Sequence, residues 1–253
     1  MEHNRKQKVL MIVALVLGIA SLSLGFAAFS STLNISSSAS VTPNSTDFKI
    51  KIYGYSETTI ENLFNINAYT SETLSYGFDN NTGKLLDAVA SINNSALAIT
   101  GIDTQMTQPG DNHIFFFKIS NEGKYDAYFD LSQLTIDTPT ACIAEPDTTE
   151  SLVEGACKYI TNSVALLTEE AFEAYNKFMN NEITMEELES TQQDNIFNSG
   201  GSTGVYKLEK DKSVFLFQNI YYDIFADRAD GPFTVTFEDI KLEFTTAPPN
   251  YEQ

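Results

Sequence analysis

Residues 107–131 read TQPGDNHIFFFKISNEGKYDAYFDL. Pro109 presets φ at the second position of a turn and Gly110 accepts positive φ at the third, so 108–111, closing on Asp111, reads as a turn. Residues 112–120 follow as a strand whose centre, Phe115, Phe116 and Phe117, is continuously aromatic. Asn121, Glu122 and Gly123 form a second turn, and in 125–136 Tyr, Phe, Leu and Ile recur. Apolar strands joined by short turn signals predict a β-hairpin here.

The same reading extends in both directions. Upstream, Phe48, Ile50 and Ile52 alternate with Asp47, Lys49 and Lys51, the period-2 pattern of a half-buried strand. Residues 79–83, DNNTG, are a turn cluster. Downstream, 163–197 predicts a helical interlude. Thr168 caps a first helix, with Glu169 and Glu170 where the dipole favours anions. Phe172, Tyr175 and Met179 fall on one face of it, and Thr184 to Glu187 is a capping box opening a second helix that contains Leu188. Residues 198–204, NSGGSTG, form a loop. Strands return over 205–208, 213–223 and 233–244, where Phe233, Val235 and Phe237 alternate with Thr234, Thr236 and Glu238. Strands with one helical insertion and no βαβ alternation predict a single all-β antiparallel sandwich domain over 48–246. The insertion spans about 141–204, and a flexible tail, 247–253, carries Pro248 and Pro249.

Composition narrows the function classes. The 253 residues hold 15 Lys and Arg against 34 Asp and Glu, a formal charge of −19 that repels phosphate backbones and argues against a nucleic-acid partner. With 18 Phe and 12 Tyr the chain is too aromatic to be an acidic disordered polymer. With only two His and two Cys, the composition argues against a zinc site built from several of them and against a cysteine-dense scaffold.

The amino terminus points to export. Arg5, Lys6 and Lys8 precede the uncharged run 9–29, VLMIVALVLGIASLSLGFAAF. A basic flank followed by an apolar run reads as a signal peptide or signal anchor over 1–30. At 1.5 Å per residue about 20 residues just span a ~30 Å hydrocarbon layer. Small residues at Gly25 and Ala27, or at Ala28 and Ser30, fit a signal peptidase site, and cleavage near Ala27 to Ser30 is favoured over a retained transmembrane anchor. Either way the remainder lies outside the cytoplasm, secreted or at the cell surface. Residues 31–47, uncharged up to Asp47 and dominated by Ser and Thr, read equally as a flexible linker or as a strand formed on pairing, since Leu33, Ile35 and Val41 are apolar and Thr is frequent.

Cys142 and Cys157 bracket CIAEPDTTESLVEGAC, a stretch rich in turn formers that reads as a loop. In an oxidising compartment the pair predicts one local disulfide, two free thiols being the alternative. Closing a loop of about 15 residues is worth ~3 kcal/mol in the chain-entropy model.

Enzymatic motifs are weak. Residues 200–204, GGSTG, match the nucleophile-elbow pattern around Ser202, but no His follows to deprotonate it; His3 lies in the leader and His113 upstream. A lone His113 at the start of an aromatic strand reads as a strand-edge residue. Asp223, Asp227, Asp230 and Gly231 lack EF-hand spacing and read as a solvated turn rather than a Ca²⁺ loop. Neither HExxH nor a Walker loop is present. The chain therefore reads as non-enzymatic, without cofactor or metal.

The secretory segment, the Ser/Thr stretch and the PGD and NxG turns together resemble the TasA/camelysin family of secreted bacterial biofilm-fibre and cell-surface proteins. The matching turn residues are Pro109, Gly110, Asp111, Asn121 and Gly123. Thr184 to Leu188 and the closing strand over 233–244 resemble the family too, whereas the Cys142–Cys157 stretch departs from it. The resemblance implies a jelly-roll sandwich that polymerises by donor-strand exchange: the freed segment carrying Leu33, Ile35 and Val41 adds a strand to the next subunit. A head-to-tail contact of this kind does not close, so it makes filaments. Cleavage would be the switch. No residues here support the proteolysis that the camelysin name implies. The alternative is an anchored extracellular sandwich that binds a partner as a monomer.

Overall fold

The aromatic run Phe115–Phe117 sits in a strand buried on both faces, and the layers of the molecule follow from that. The computed structural model describes residues 47–192, 195–198 and 204–248. In chain order the first strands are β1 (Ile50–Tyr55), β2 (Tyr69–Ser71), β3 (Leu74–Asp79), β4 (Lys84–Asn93), β5 (Ala98–Thr100) and β6 (Asp103–Met106). Then come β7 (Asn112–Asn121), β8 (Ala127–Asp130), β9 (Ile136–Asp137) and β10 (Ala141–Ala144), followed by helix α1 (Glu150–Cys157). Strand β11 (Ile160–Thr168) leads into α2 (Glu169–Met179) and α3 (Met185–Gln192). The chain ends with β12 (Ile196–Asn198), β13 (Val205–Leu208), β14 (Ser213–Tyr222), β15 (Phe233–Thr236), β16 (Ile240–Lys241) and β17 (Phe244–Thr245).

The main sheet runs β12-β11-β14-β7-β3-β4-β5-β16, with β1 also on β7, β2 on β1 and β9 on β11. Two three-stranded sheets, β10-β15-β6 and β13-β8-β17, accompany it, and every described pairing is antiparallel. Because successive side chains point to opposite faces, β7 feeds two cores. Phe115, Phe117 and Ile119 join Val214, Leu216, Met106, Phe129, Phe233 and Val235, the core shared with the small sheets. Ile114 and Phe116 join Phe215, Phe217, Phe172, Tyr175 and Leu188 under the helices. The rings of Phe172 and Phe215 stack 3.6 Å apart at 3°. The fold is thus mostly β, with curled antiparallel sheets consistent with a β-sandwich and helices covering one outer face.

Several expectations hold. Phe48, Ile50 and Ile52 are buried. Gly83, at φ +66°, closes the β3–β4 hairpin through its N–H to Asp79 O at 2.7 Å. Thr168 caps α2 by accepting from Ala171 N, and Thr184 and Glu187 exchange capping-box bonds. The leader 1–30, the donor-strand candidates Leu33, Ile35 and Val41, and most of the tail lie outside the described residues. No helix among the described residues is long and apolar enough to cross a membrane.

Four expectations are corrected. The hairpin is absent: β7 pairs with β14, β1 and β3, whereas β8 pairs with β13 and β17. Both edges of β7 are occupied, so the chain leaving it cannot fold back onto it. The predicted helix start at 163 falls inside β11. Its VALL run is apolar toward both cores, and periodicity cannot separate such a strand from a buried helix. The stretch between the cysteines contains β10 and α1 and is not a plain loop. Finally, 233–244 is broken into β15, β16 and β17, each on a different sheet.

The amino-terminal corner as candidate functional site

The described chain begins at Asp47 and runs into β1 beside the turn that ends β7. Lys49 O accepts from Glu122 N at 2.8 Å and Asp47 O from Lys124 N at 2.7 Å, so the incoming segment continues the β1–β7 ladder past the end of β7. Asn121 pins this corner from inside. Its Nδ2 donates to Tyr125 O at 2.9 Å and Leu208 O at 3.0 Å, and its Oδ1 accepts from Gly123 N at 3.1 Å. Gly123 is required sterically: a Cβ there would lie 2.8 Å from both Asp47 O and Lys49 N.

Charges close the corner. Lys124 pairs with Asp47 at 2.5 Å, Lys51 with Glu72 at 2.6 Å, and Glu122 receives Lys49 Nζ and the Tyr53 hydroxyl. Burial alone would lift the Glu122 carboxyl. The bonds from Lys49 and Tyr53, with the charges of Lys49 and Lys51, outweigh it and hold Glu122 below the ordinary carboxylate range. Tyr53 is pushed up by burial and by Glu122.

On the side of β1 away from β7, β2 takes Gly54 and Tyr55. At Ile52 the Asn94 amide stands in for a strand, accepting from Ile52 N at 2.6 Å and donating to Ile52 O at 3.0 Å. Among the described residues no strand pairs with Ile50–Tyr53 on that side.

The second turn motif lies at the other end of β7. Asp111 Oδ2 accepts from Thr107 N, Thr107 Oγ1 and Gln108 N, and Gly110, at φ +92°, donates its N–H to Tyr222 O at 2.8 Å. Pro109, Gly110 and Asp111 thus start β7 beside the end of β14, while Asn121 and Gly123 finish it. Both sets build the fold, and neither forms a cleft.

Cys142 and Cys157 are bonded, with Cα atoms 6.0 Å apart, so the disulfide ties β10 to the end of α1. Among the described residues β10 pairs as a strand only with β15, and α1, bonded to it through the disulfide, packs against it. The strand is the uncharged ACIA, and Ile143 is 58 % exposed on it. An apolar edge without a strand partner is a template for another strand.

Among the residues weighed for chemistry, His113, Asp223 and Asp230 are tied into the fold by hydrogen bonds. His113 is buried, shares a hydrogen bond with Thr104 Oγ1, and has its pKa lowered by burial against the pull of Asp79 and Asp111. Asp230 caps α1 through Thr149 N at 2.8 Å, and Asp223 accepts from Phe225 N at 2.8 Å. No group of three or more His, Cys, Asp or Glu among the described residues is placed to hold a metal ion. Ser202 lies outside the described residues.

Three features escaped the sequence reading. Asn162 and Gln218 are fully buried on the inner face of the main sheet, and their side-chain amides have no hydrogen-bond partner among the described residues. Asn94 seals β1. Phe225 is 93 % exposed at the end of β14. The first two depend on long-range placement. For the third, an apolar pair amid aspartates at 223–230 was the available signal. No family model, characterised protein or solved structure matches this chain.

Proposed function

We propose that this chain is an exported structural subunit, a biofilm-matrix or surface fibre protein of jelly-roll type, whose residues 31–46 add a strand to a neighbouring copy. The reading is supported above all by the corner at Asp47. The uncharged, strand-prone stretch ends where the described chain enters a β-ladder, and a donated strand is anchored to its own subunit there by two backbone bonds and the Lys124–Asp47 pair. The acceptor we propose is the edge of β10 that has no strand partner among the described residues, whose uncharged sequence opposes no charge to a neutral donor. The disulfide fits an oxidising compartment, consistent with export.

The test is negative-stain microscopy of the exported chain and of a variant lacking residues 31–46. Filaments from the first and none from the second are expected. Equal filaments from both would refute the donated strand. Monomers from an exported chain that keeps its apolar leader would support the anchored-binder alternative, motivated by the run 9–29.

A further inference from the structure

The ends of β7 and β14 carry complementary features that nothing above uses. After β14 the chain makes a tight turn. Asp223 N donates to Tyr159 O at 3.0 Å, Ile224 N to Tyr221 Oη at 3.1 Å, Phe225 N to Asp223 Oδ1 at 2.8 Å, and Ala226 N to Asp223 O at 3.1 Å. Four hydrogen bonds hold the backbone while Ile224 and Phe225 project, 60 % and 93 % exposed. With the backbone already fixed, only the side-chain rotamers of the exposed aromatic remain to be ordered on docking.

At the opposite end, just past Asn121, a shallow groove of about 460 Å³ is lined by Tyr125, Asp126, Tyr128 and Thr246. Asp126 is neutralised in place by Lys207 at 2.8 Å, so the groove offers two aromatic walls and no free charge. Strands β7 and β14 have ten residues each, so at ~3.3 Å per residue knob and groove lie about 30 Å apart at opposite poles.

We infer that the Ile224–Phe225 knob docks into the Tyr125–Tyr128 groove of a second copy of this chain, head to tail. Two observations select that occupant. The 46 residues preceding Asp47 join the fold at the groove pole, whereas Ile143 and the Cys142–Cys157 bond lie toward the knob pole, so one stacking direction brings donor to acceptor and knob to groove together. The knob end carries Asp223, Asp227 and Asp230 against Arg228, whereas Lys124, Lys207 and Lys210 at the groove end are each paired with a neighbouring carboxylate, so two acidic knob ends repel while a knob meets a neutralised groove without that repulsion. The acidic knob is also mismatched to an anionic lipid surface. This inference rests on the self-assembly reading above, and its stacking direction on the donated strand.

The experiment measures the critical concentration for filament growth of the exported chain by sedimentation, for Phe225→Ser, Tyr125→Ser and the double variant. These side chains are exposed, and unchanged unfolding midpoints will show the fold intact. Losing one aromatic anchor is expected to raise the critical concentration roughly thirtyfold. The double variant should be no worse than either single one, because both lesions remove the same contact. Wild-type behaviour of Phe225→Ser overturns the knob and leaves the donated strand standing if removing residues 31–46 still abolishes filaments. Additive effects overturn the pairing of these two residues. An unmodified chain that stays monomeric overturns both readings, and Phe225-dependent sedimentation with phosphatidylcholine vesicles without self-association reassigns the knob to lipid.

Discussion

Replacing Asn121 by Ala removes three hydrogen bonds from the corner where the described chain begins. The carbonyls of Tyr125 and Leu208 lose their donor and the Gly123 N–H its acceptor. Tyr125 is 58 % exposed, so its carbonyl turns to water at little cost. Leu208 and Gly123 are buried, and each stranded group costs about 1–2 kcal/mol. The sum is ~3 kcal/mol, a large share of the 5–15 kcal/mol typical of a folded domain. At about 2–4 °C per kcal/mol for a domain of this size, the melting midpoint should fall by roughly 6–12 °C. Asn121→Asp keeps the acceptor but sets a buried carboxylate against two carbonyls, so at pH 7 it should be at least as harmful as Ala. Its folded pKa is raised above the unfolded value, so lowering the pH through that range should restore part of the loss. The chain has no Trp, so urea unfolding followed by far-UV circular dichroism is the assay. A loss under ~1 kcal/mol for Asn121→Ala, or an Asp variant more stable than the Ala one at pH 7, would show that the amide's donors do not hold the corner.

Reducing the Cys142–Cys157 bond should cost about 3 kcal/mol from loop closure, read as a lower urea midpoint in dithiothreitol; a Cys142→Ser/Cys157→Ser variant insensitive to reductant is the control. Gln218→Met, of similar shape, removes an unpartnered amide and should stabilise by ~1 kcal/mol in the same assay; a loss above that would reveal a hidden partner. His113 is held neutral by burial, so the unfolded chain takes up its proton first. Stability should therefore be flat above about pH 6.5 and fall below it, by at most ~1.4 kcal/mol per pH unit until the depressed folded pKa is reached. His113→Asn should flatten that slope in midpoints measured from pH 8 to 5.

Much of the local structure was legible in the sequence because short-range chemistry dictates it. Thr168 and Thr184 cap helices through bonds three residues away, Gly83 and Gly110 take the positive φ their turns need, and Phe48, Ile50 and Ile52 alternate into the core. The corner was half legible. Asn121 and Gly123 announced a turn, but nothing nearby in sequence says that Asp47, Lys49 and Leu208 come to meet them.

Pairing was decided only in three dimensions. The run NHIFFFKIS marks a strand by composition alone, yet whether its partner is the next strand or one a hundred residues away depends on which edges are already filled. Here β14 and the fork of β1 and β3 fill them. At that fork Gly54 passes Leu74 so closely that a Cβ would lie 1.9 Å from its carbonyl oxygen, and the Ser75 hydroxyl bridges Tyr55 N to Phe116 O. Hydrogen-bond capacity along a backbone is the same at every residue but proline, so sequence specifies where strands form and which faces are apolar. Competition among all the strands for a limited number of edges specifies who sits beside whom, and which edges are left open.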